Sequence, residues 1–226
     1  DQGCWTPIET FSTADDADWT ARFGDKVERH IEMRGPDGGA AEARWKVGGL
    51  HNLENALAAV AAAASAGVSL EQAVDAMSRF EGVKRRMERT ATVADIAIYD
   101  DFAHHPTAIA KSIKSMRRRY PGHRVIVAIE PRSNTMKLGV HNDLLADSLK
   151  DADLVWMFRP DGRRGDFEAS RQSLGSKLRL FDDYDRLVND MSTRVLGGDQ
   201  VIFMSNGGFG SARQTLTALL QRTRSG

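Results

Sequence analysis

From about residue 84 onward, short apolar segments alternate regularly with longer segments of helical periodicity. Apolar strands of this kind are typical of a sheet covered on both faces, and strands separated by helices build parallel sheets. The sequence therefore predicts an α/β fold with a doubly wound, mostly parallel sheet over this part of the chain. The predicted strands lie at 96–99, 124–129, 153–158 and 200–204, and the predicted helices at 106–120, 141–150, 183–196 and 211–224.

The first 83 residues have a different pattern. Residues 1–24 have no clean periodicity and are interpreted as irregular, whereas 26–34 and 43–47 flank a Pro/Gly turn and predict a hairpin. An alanine-rich helix is expected from Asn52 to Ala66, and a Ser69–Gln72 capping box is expected to begin a second helix that runs to Phe80. We therefore predict two parts, 1–83 and 84–226.

Composition excludes several classes of protein. The 31 basic and 31 acidic side chains cancel, whereas nucleic-acid binders usually carry a basic surplus. Cys4 is the only cysteine, which rules out an internal disulfide and a cysteine metal cluster. The longest apolar run, 56–64, is too short to span a bilayer, and no signal peptide begins the chain. We therefore expect a cytoplasmic protein with small-molecule partners and neither a nucleic-acid nor a membrane partner; nothing in the pattern indicates an oligomeric state.

Three polar loops follow the predicted strands, at 100–107, 130–139 and 205–210, and the last two contain glycine. In parallel α/β sheets, ligands bind where loops leave the carboxyl ends of the strands. These loops are therefore expected to share one site.

The segment GLHNLENA (49–56) contains the first candidate pair. Asn52 and Asn55 are three residues apart and share one face of the first helical turn. Their carboxamides offer both the donor and the acceptor that the edge of an adenine requires. The alternative is that Asn52 caps the helix.

The segment YDDFAHHPT (99–107) joins a strand to a helix. A carboxylate at a strand end can bind a ribose diol, and Asp/His pairs can hold a metal or shift each other's pKa. The alternative is a solvated loop in which Asp101 or Thr107 assists the start of the helix.

Two further loops and one basic pair could bind anions. Arg132 can clamp a carboxylate and Lys137 adds a second cation, but a simple polar loop is the alternative. The glycines of 205–210 could admit a ligand to backbone amides, or could serve close packing of the strand on the helix. The pair Arg85–Arg86 could meet a phosphate, or could be a solvated linker.

Taken together, GLHNLENALAA (49–59), the basic pair, DDFAHHPTAI, EPRSNTMKLG and MSNGGFG resemble the Mur ligase family, and in particular its peptidoglycan-recycling branch. The resemblance runs over nearly the whole chain. It implies that 1–83 end the central ATPase domain and that 84–226 form the Rossmann-like, peptide-binding carboxy-terminal domain.

The resemblance also implies roles for single residues. The nucleotide is expected to contact His51, Asn52, Asn55, Arg86, Asp101 and His104. The incoming peptide is expected to contact Arg132, Ser133, Asn134, Lys137, Ser205 and Asn206. No catalytic residue and no metal ligand is assigned within the chain.

The implied reaction is ATP- and Mg²⁺-dependent ligation of the tripeptide L-Ala-γ-D-Glu-meso-diaminopimelate to UDP-N-acetylmuramate, by way of an acyl phosphate. The family's phosphate loop, GxxGK[ST], is absent from the 226 residues. We therefore expect the magnesium ligands in a preceding part of a longer enzyme, and the chain to be inactive alone. Two alternatives remain: a related ligase with another acceptor, such as a muramate–alanine or folate polyglutamylating enzyme, and a non-catalytic nucleotide- or peptide-binding module.

Overall fold

The structure is a computed structural model that describes residues 6–14, 16–131, 142–159 and 168–224. The chain divides into two compact units. The first contains residues 1–82 with 118–121, and the second contains 83–117 with 122–226.

A four-stranded sheet and two helices form the first unit. β2 to β4 are antiparallel, and the short β1 pairs with β2 in parallel. The core combines Ile31 and Met33 from the sheet with Leu53 and Leu57 from the first helix. The elements are β1 (Phe11–Ser12), β2 (Trp19–Phe23), β3 (His30–Arg34), β4 (Ala40–Arg44), α1 (Leu50–Ser65) and α2 (Leu70–Arg79).

The hairpin, both helices and both hydrogen bonds of the Ser69–Gln72 capping box are confirmed. The second hairpin strand, predicted at 43–47, lies at Ala40–Arg44. The irregular interpretation of residues 1–24 was wrong, because β1 and β2 lie there. Trp19 and Ala21 point into the core while Thr20 and Arg22 do not. Alanine is a weak apolar signal, so this alternation is hard to recognise before its partner β3 is known.

The second unit is built on a six-stranded sheet with the order β5-β6-β10-β7-β8-β9. All neighbouring strands are parallel except β5, which is antiparallel to β6. The mostly parallel α/β sheet predicted from the sequence is confirmed. The strands are β5 (Glu88–Val93), β6 (Ile96–Asp101), β7 (Val125–Ile129), β8 (Leu154–Phe158), β9 (Leu178–Phe181) and β10 (Gln200–Met204).

Helices accompany the sheet of the second unit. One hydrophobic cluster joins strand residues such as Ile98, Trp156 and Phe203 to Leu187 and Leu216 of two helices. The helices are α3 (Pro106–Arg119), α4 (Asn142–Ser148), α5 (Glu168–Leu174), α6 (Tyr184–Arg194) and α7 (Ala212–Arg224). None of the helices in the described ranges is long and apolar enough to cross a membrane.

Three elements of the second unit were not predicted. Residues 84–89 were interpreted as a charged link, but Glu88 and Arg89 already belong to the edge strand β5, where charges discourage pairing with another chain. α5 and β9 were also missed. All four β9 residues are only partly buried, so the segment lacks the apolar signature of the inner strands.

Candidate functional site at the carboxyl ends of the strands

The carboxyl ends of three adjacent strands form a continuous rim in the second unit. The last residue of β10, Met204, lies opposite both Asp101 of β6 and Ile129 of β7. The residues that follow these strand ends therefore emerge side by side. This confirms the common rim for the loops that begin at Asp100, Glu130 and Ser205.

Asp101 is a buried carboxylate on this rim, with 3% of its surface exposed. Its Oδ2 accepts a 2.5 Å hydrogen bond from the Ser112 hydroxyl of α3, and Oδ1 accepts one from the Ala103 amide at 3.4 Å. Burial raises the pKa of the carboxyl group, while the Ser112 bond opposes that shift. The Met87 amide also donates to this carboxylate. A carboxylate has about four acceptor positions, so one remains for a hydroxyl donor.

Asp101 does not assist the start of α3, as one alternative supposed. Pro106 begins the helix, a position at which its missing N–H costs nothing, and the Ile109 amide donates to the His105 carbonyl. The Thr107 amide donates to Nδ1 of His105. His105 therefore occupies the cap position.

His104 lies beside Phe102 in the same loop. Its Nδ1 donates to the Phe102 carbonyl at 2.9 Å, because a carbonyl can only accept. The imidazole also meets the Phe102 ring edge-on, with the centroids 5.1 Å apart. In the neutral ring, Nε2 is then the acceptor. In the part of the chain that the structure describes, no group of three or more His, Cys, Asp or Glu side chains is placed to hold a metal ion.

Arg85 is tied to the rim. Its Nη2 donates to the carbonyl oxygens of Ser205, at 2.7 Å, and of Gly207. Its Nε lies 3.6 Å from the Asp100 carboxylate, and its guanidinium lies 5.1 Å from the centroid of the Phe102 ring. The solvated-linker alternative is therefore wrong for Arg85.

Arg86 is exposed, although it is adjacent to Arg85 in the chain. Its guanidinium lies 5.3 Å from the centroid of the Phe102 ring and lowers the pKa of Asp101 by its charge, against the larger effect of burial. Arg85 and Met87 on either side have positive φ angles of 59° and 50°. Non-glycine residues in this region are strained and cluster at functional sites.

Ser205 belongs to a hydrogen-bond network beneath the loop. Its hydroxyl donates to Glu130 Oε2 at 2.9 Å and accepts from the Gly207 amide at 2.9 Å. Glu130 Oε1 accepts from the hydroxyl of Tyr184. Ser205 and Glu130 are 3% and 1% exposed, so the Ser205 hydroxyl holds the loop from within. Asn206 lies in the loop itself and is partly exposed.

Gly210 explains why the loop needs glycine. Its φ is 52°, and a Cβ atom there would lie 2.2 Å from the Tyr184 ring. The same ring stacks on Phe158 with the centroids 3.8 Å apart, and the buried Phe209 packs against it. Close packing, one of the two alternatives for this loop, therefore accounts for Gly210.

The other candidate residues lie in the first unit, at the start of α1. Gly49, with a φ of 98°, is the cap residue, and its amide donates to the buried carboxylate of Glu28 at 2.7 Å. Asn52 does not cap the helix, because Leu50 already begins it; its Nδ2 donates to the Gly48 carbonyl at 2.6 Å. His51, Asn52 and Asn55 all lie in the first two turns, and Asn55 is exposed.

The expected peptide contacts at Arg132, Ser133, Asn134 and Lys137 lie outside the described residues. The structure adds residues that were not assigned to the site. They are Arg85, Asp100, Ser112, Glu130 and Tyr184. The one sequence signal for this group was a charged residue directly beside a strand end, as at Glu130.

A family model described as the glutamate ligase domain of Mur ligases matches residues 85–207. The chain belongs to the Mur ligase family. One curated relative is the UDP-N-acetylmuramate–L-alanyl-γ-D-glutamyl-meso-2,6-diaminoheptandioate ligase of Haemophilus influenzae. The two sequences are 36% identical over 215 residues, and the alignment covers 95% of this chain and 47% of that protein.

Two solved Mur ligase structures are similar over large parts of the chain. The murein peptide ligase of Psychrobacter arcticus is 37% identical with a TM-score of 0.69, covering 97% of this chain and 48% of that one. A domain of a UDP-N-acetylmuramate:L-alanyl-γ-D-glutamyl-meso-diaminopimelate ligase from Haemophilus ducreyi is 34% identical with a TM-score of 0.52, covering 60% of this chain and 99% of that one. The chain thus spans about half the length of the curated relatives that it matches.

Proposed function

We propose that the complete protein is an ATP-dependent ligase that joins L-Ala-γ-D-Glu-meso-diaminopimelate to UDP-N-acetylmuramate in peptidoglycan recycling. The observation that carries the proposal is the shared rim of β6, β10 and β7. It gathers a buried carboxylate, an exposed arginine and a preformed glycine loop in a chain whose relatives are named for this reaction. A cytoplasmic location belongs to the same proposal, because the nucleotide substrates are found there.

The proposal assigns ATP to residues whose chemistry suits it. Asp101 would accept hydrogen bonds from the ribose hydroxyls, and the exposed Arg86 would meet a phosphate. Asn52 and Asn55 would contact the adenine edge, with His51 and His104 nearby in their own units. ATP supplies the driving force of ligation when it is bound. These residues orient it, which is the larger part of catalysis in phosphoryl transfer.

The peptide would be received by the loops after β7 and β10. Arg132 would pair with a peptide carboxylate, supported by Ser133, Asn134 and Lys137. On the β10 side, Ser205 shapes the loop and Asn206 faces the ligand. No role in holding Mg²⁺ is assigned to the described residues, which include no group of three or more His, Cys, Asp or Glu side chains placed to hold a metal ion. In this proposal 1–83 complete the central ATPase domain and 84–226 form the carboxy-terminal domain.

The test is phosphate release by the complete gene product with ATP, UDP-N-acetylmuramate and the tripeptide. We expect release only when all three are present, together with formation of the ligated product by mass spectrometry. Replacing the tripeptide with L-alanine tests the alternative of a muramate–alanine ligase. Turnover with L-alanine alone would exclude the tripeptide ligase, and no turnover with any acceptor would favour the binding module.

A further inference from the structure

We propose that Arg85 is a positioning residue that couples the peptide side of the site to its nucleotide side. The inference rests on the proposed function. Arg85 links the 205–207 loop to Arg86. Arg85 itself is not expected to contact either substrate.

The first step is the attachment of Arg85 to the loop. Its Nη2 donates to two carbonyl oxygens two residues apart, those of Ser205 and Gly207. A planar guanidinium can serve both acceptors only when the loop keeps this shape. From the opposite side, Glu130 accepts from the Ser205 hydroxyl. The loop backbone is therefore held between a cation and a buried carboxylate.

The second step is the attachment of Arg85 to the segment that carries Arg86. The Phe102 amide donates to the Arg85 carbonyl at 2.7 Å, and the Arg85 amide donates to Glu88 at 2.9 Å. Arg85 and Met87 both have positive φ. Strained backbone of this kind persists only where surrounding bonds hold it. Arg85 is thus bonded to this segment through its backbone and to the 205–207 loop through its guanidinium, so a movement of the loop can be transmitted to Arg86.

The consequence is energetic coupling between two ligands. A peptide that orders the 205–207 loop also orders the Arg85 guanidinium, and with it the backbone at Arg86. A nucleotide that binds afterwards loses less conformational entropy, which is positive cooperativity without a large structural change. Such coupling is reciprocal and commonly amounts to about 5- to 150-fold in affinity.

Arg213 offers a matched control. Its Nη2 lies 3.3 Å from the same Asp100 carboxylate that Arg85 contacts, so both arginines share one ion-pair partner. Arg85 in addition holds the carbonyls of Ser205 and Gly207. Arg85→Gln and Arg213→Gln therefore remove the same charge beside Asp100, but only the first releases the loop.

The experiment is isothermal titration of ADP into the complete gene product, with and without saturating L-Ala-γ-D-Glu-meso-diaminopimelate. We expect the tripeptide to lower the Kd of ADP about tenfold in the wild type and in Arg213→Gln. In Arg85→Gln the two Kd values should become equal, with the Kd of ADP alone changed less than about threefold.

Arg85→Gly guards against misfolding, because glycine adopts the positive φ at this position without strain. It should fold and show the same loss of coupling. Coupling that survives in Arg85→Gly or Arg85→Gln, or that is lost equally in Arg213→Gln, would overturn the inference while leaving the ligase proposal standing. A wild type that ligates but shows no coupling would have the same meaning. A wild type that binds neither ligand would remove the proposed function itself.

Discussion

The carboxyl group of Asp101 is buried at the end of β6, and burial raises its pKa above the ordinary value of 3.8. The folded chain therefore binds this proton more tightly than the unfolded chain does. Between the two pKa values, the free energy of unfolding falls as the pH rises, and the contribution is lost once the pH exceeds the folded pKa. A carboxylate kept at a cost in stability is a mark of a functional site.

Asp101→Asn should separate the effect of the buried charge on stability from its role in binding the nucleotide. The amide oxygen can still accept from Ser112 and no charge is buried, but the amide nitrogen cannot accept from the Ala103 amide. These effects oppose each other, so the free energy of unfolding at neutral pH should change by less than about 1 kcal/mol. Urea unfolding over a pH series would measure this, and the pH-dependent loss described above should disappear. Because a charged acceptor for the ribose is removed, the Kd of ADP should rise at least about tenfold. A variant that binds ADP normally would contradict the ribose assignment.

Asp199 is a buried carboxylate with a structural role. It accepts from Nε and Nη2 of Arg124, at 2.8 and 2.6 Å, and from the Leu196 amide. Hydrogen bonding to Asp199 is the largest cause of the raised pKa of Arg124. The pair lies at the amino ends of β7 and β10, away from the rim.

Asp199→Asn should therefore destabilise the chain. Arg124 is one-third exposed, so the loss should fall near the lower end for buried pairs, at about 3 kcal/mol. Asp147→Asn is the control, because Asp147 pairs with Lys150 on an exposed helix surface and should change stability by less than about 0.5 kcal/mol. Equal losses in the two variants, measured by urea unfolding, would show that Asp199 is not worth more than a surface pair.

At the level of single residues, the sequence predicts which residues lie near the candidate site better than it predicts which groups they bond to. Asp101 stands out because it lies at the end of a predicted strand, and Arg86 stands out because it belongs to a basic pair at the predicted boundary near residue 84. Glu130 and Tyr184 could not be paired in advance, since 54 residues separate them and only the order of the strands brings them together. Arg85 was noticed, but its carbonyl partners are backbone atoms and leave no trace in the sequence.

The loop after β10 is shaped by packing as well as by hydrogen bonds. Gly210→Ala would place a Cβ atom 2.2 Å from the Tyr184 ring at a positive φ. Backbone strain and overpacking add, so we expect a loss of about 3 kcal/mol in the free energy of unfolding. Binding of ADP or tripeptide should weaken as well, because the loop must move.

Gly175→Ala measures the loss of unfolding free energy that comes from backbone strain alone. Gly175 has nearly the same φ, 54°, but a Cβ atom there would meet nothing within 4 Å. We expect a loss of about 1 kcal/mol from strain alone. If urea unfolding gives the same loss for both variants, Tyr184 can accommodate a methyl group and the packing argument fails.

Elements with local signals are the ones that the sequence predicts well. The Ser69–Gln72 capping box lies within a single helical turn, and the inner strand at 200–204 is apolar throughout. Edge strands are harder, because β5 and β9 each pair with a single neighbour. Their residues are mixed in polarity, so propensity alone does not identify them.

At the level of the whole molecule, each unit has its own hydrophobic core. The first is built around Ile31 and Leu57, and the second around Ile98 and Phe203. The change of pattern near residue 84 coincides with the division of the chain between residues 82 and 83. The strand order could not be predicted in the same way, because inserting β10 between β6 and β7 is a long-range event with no local signal.

Residues 83–226 should therefore fold when produced alone. They contain the whole six-stranded sheet with its main cluster. We expect one cooperative urea transition, with Asp199→Asn lowering its free energy by the same amount as in the whole chain, because distant sites contribute additively. Secondary structure retained with strong dye binding and no cooperative transition would indicate a loosely packed state. That result would show that the cluster around Phe203 is insufficient by itself.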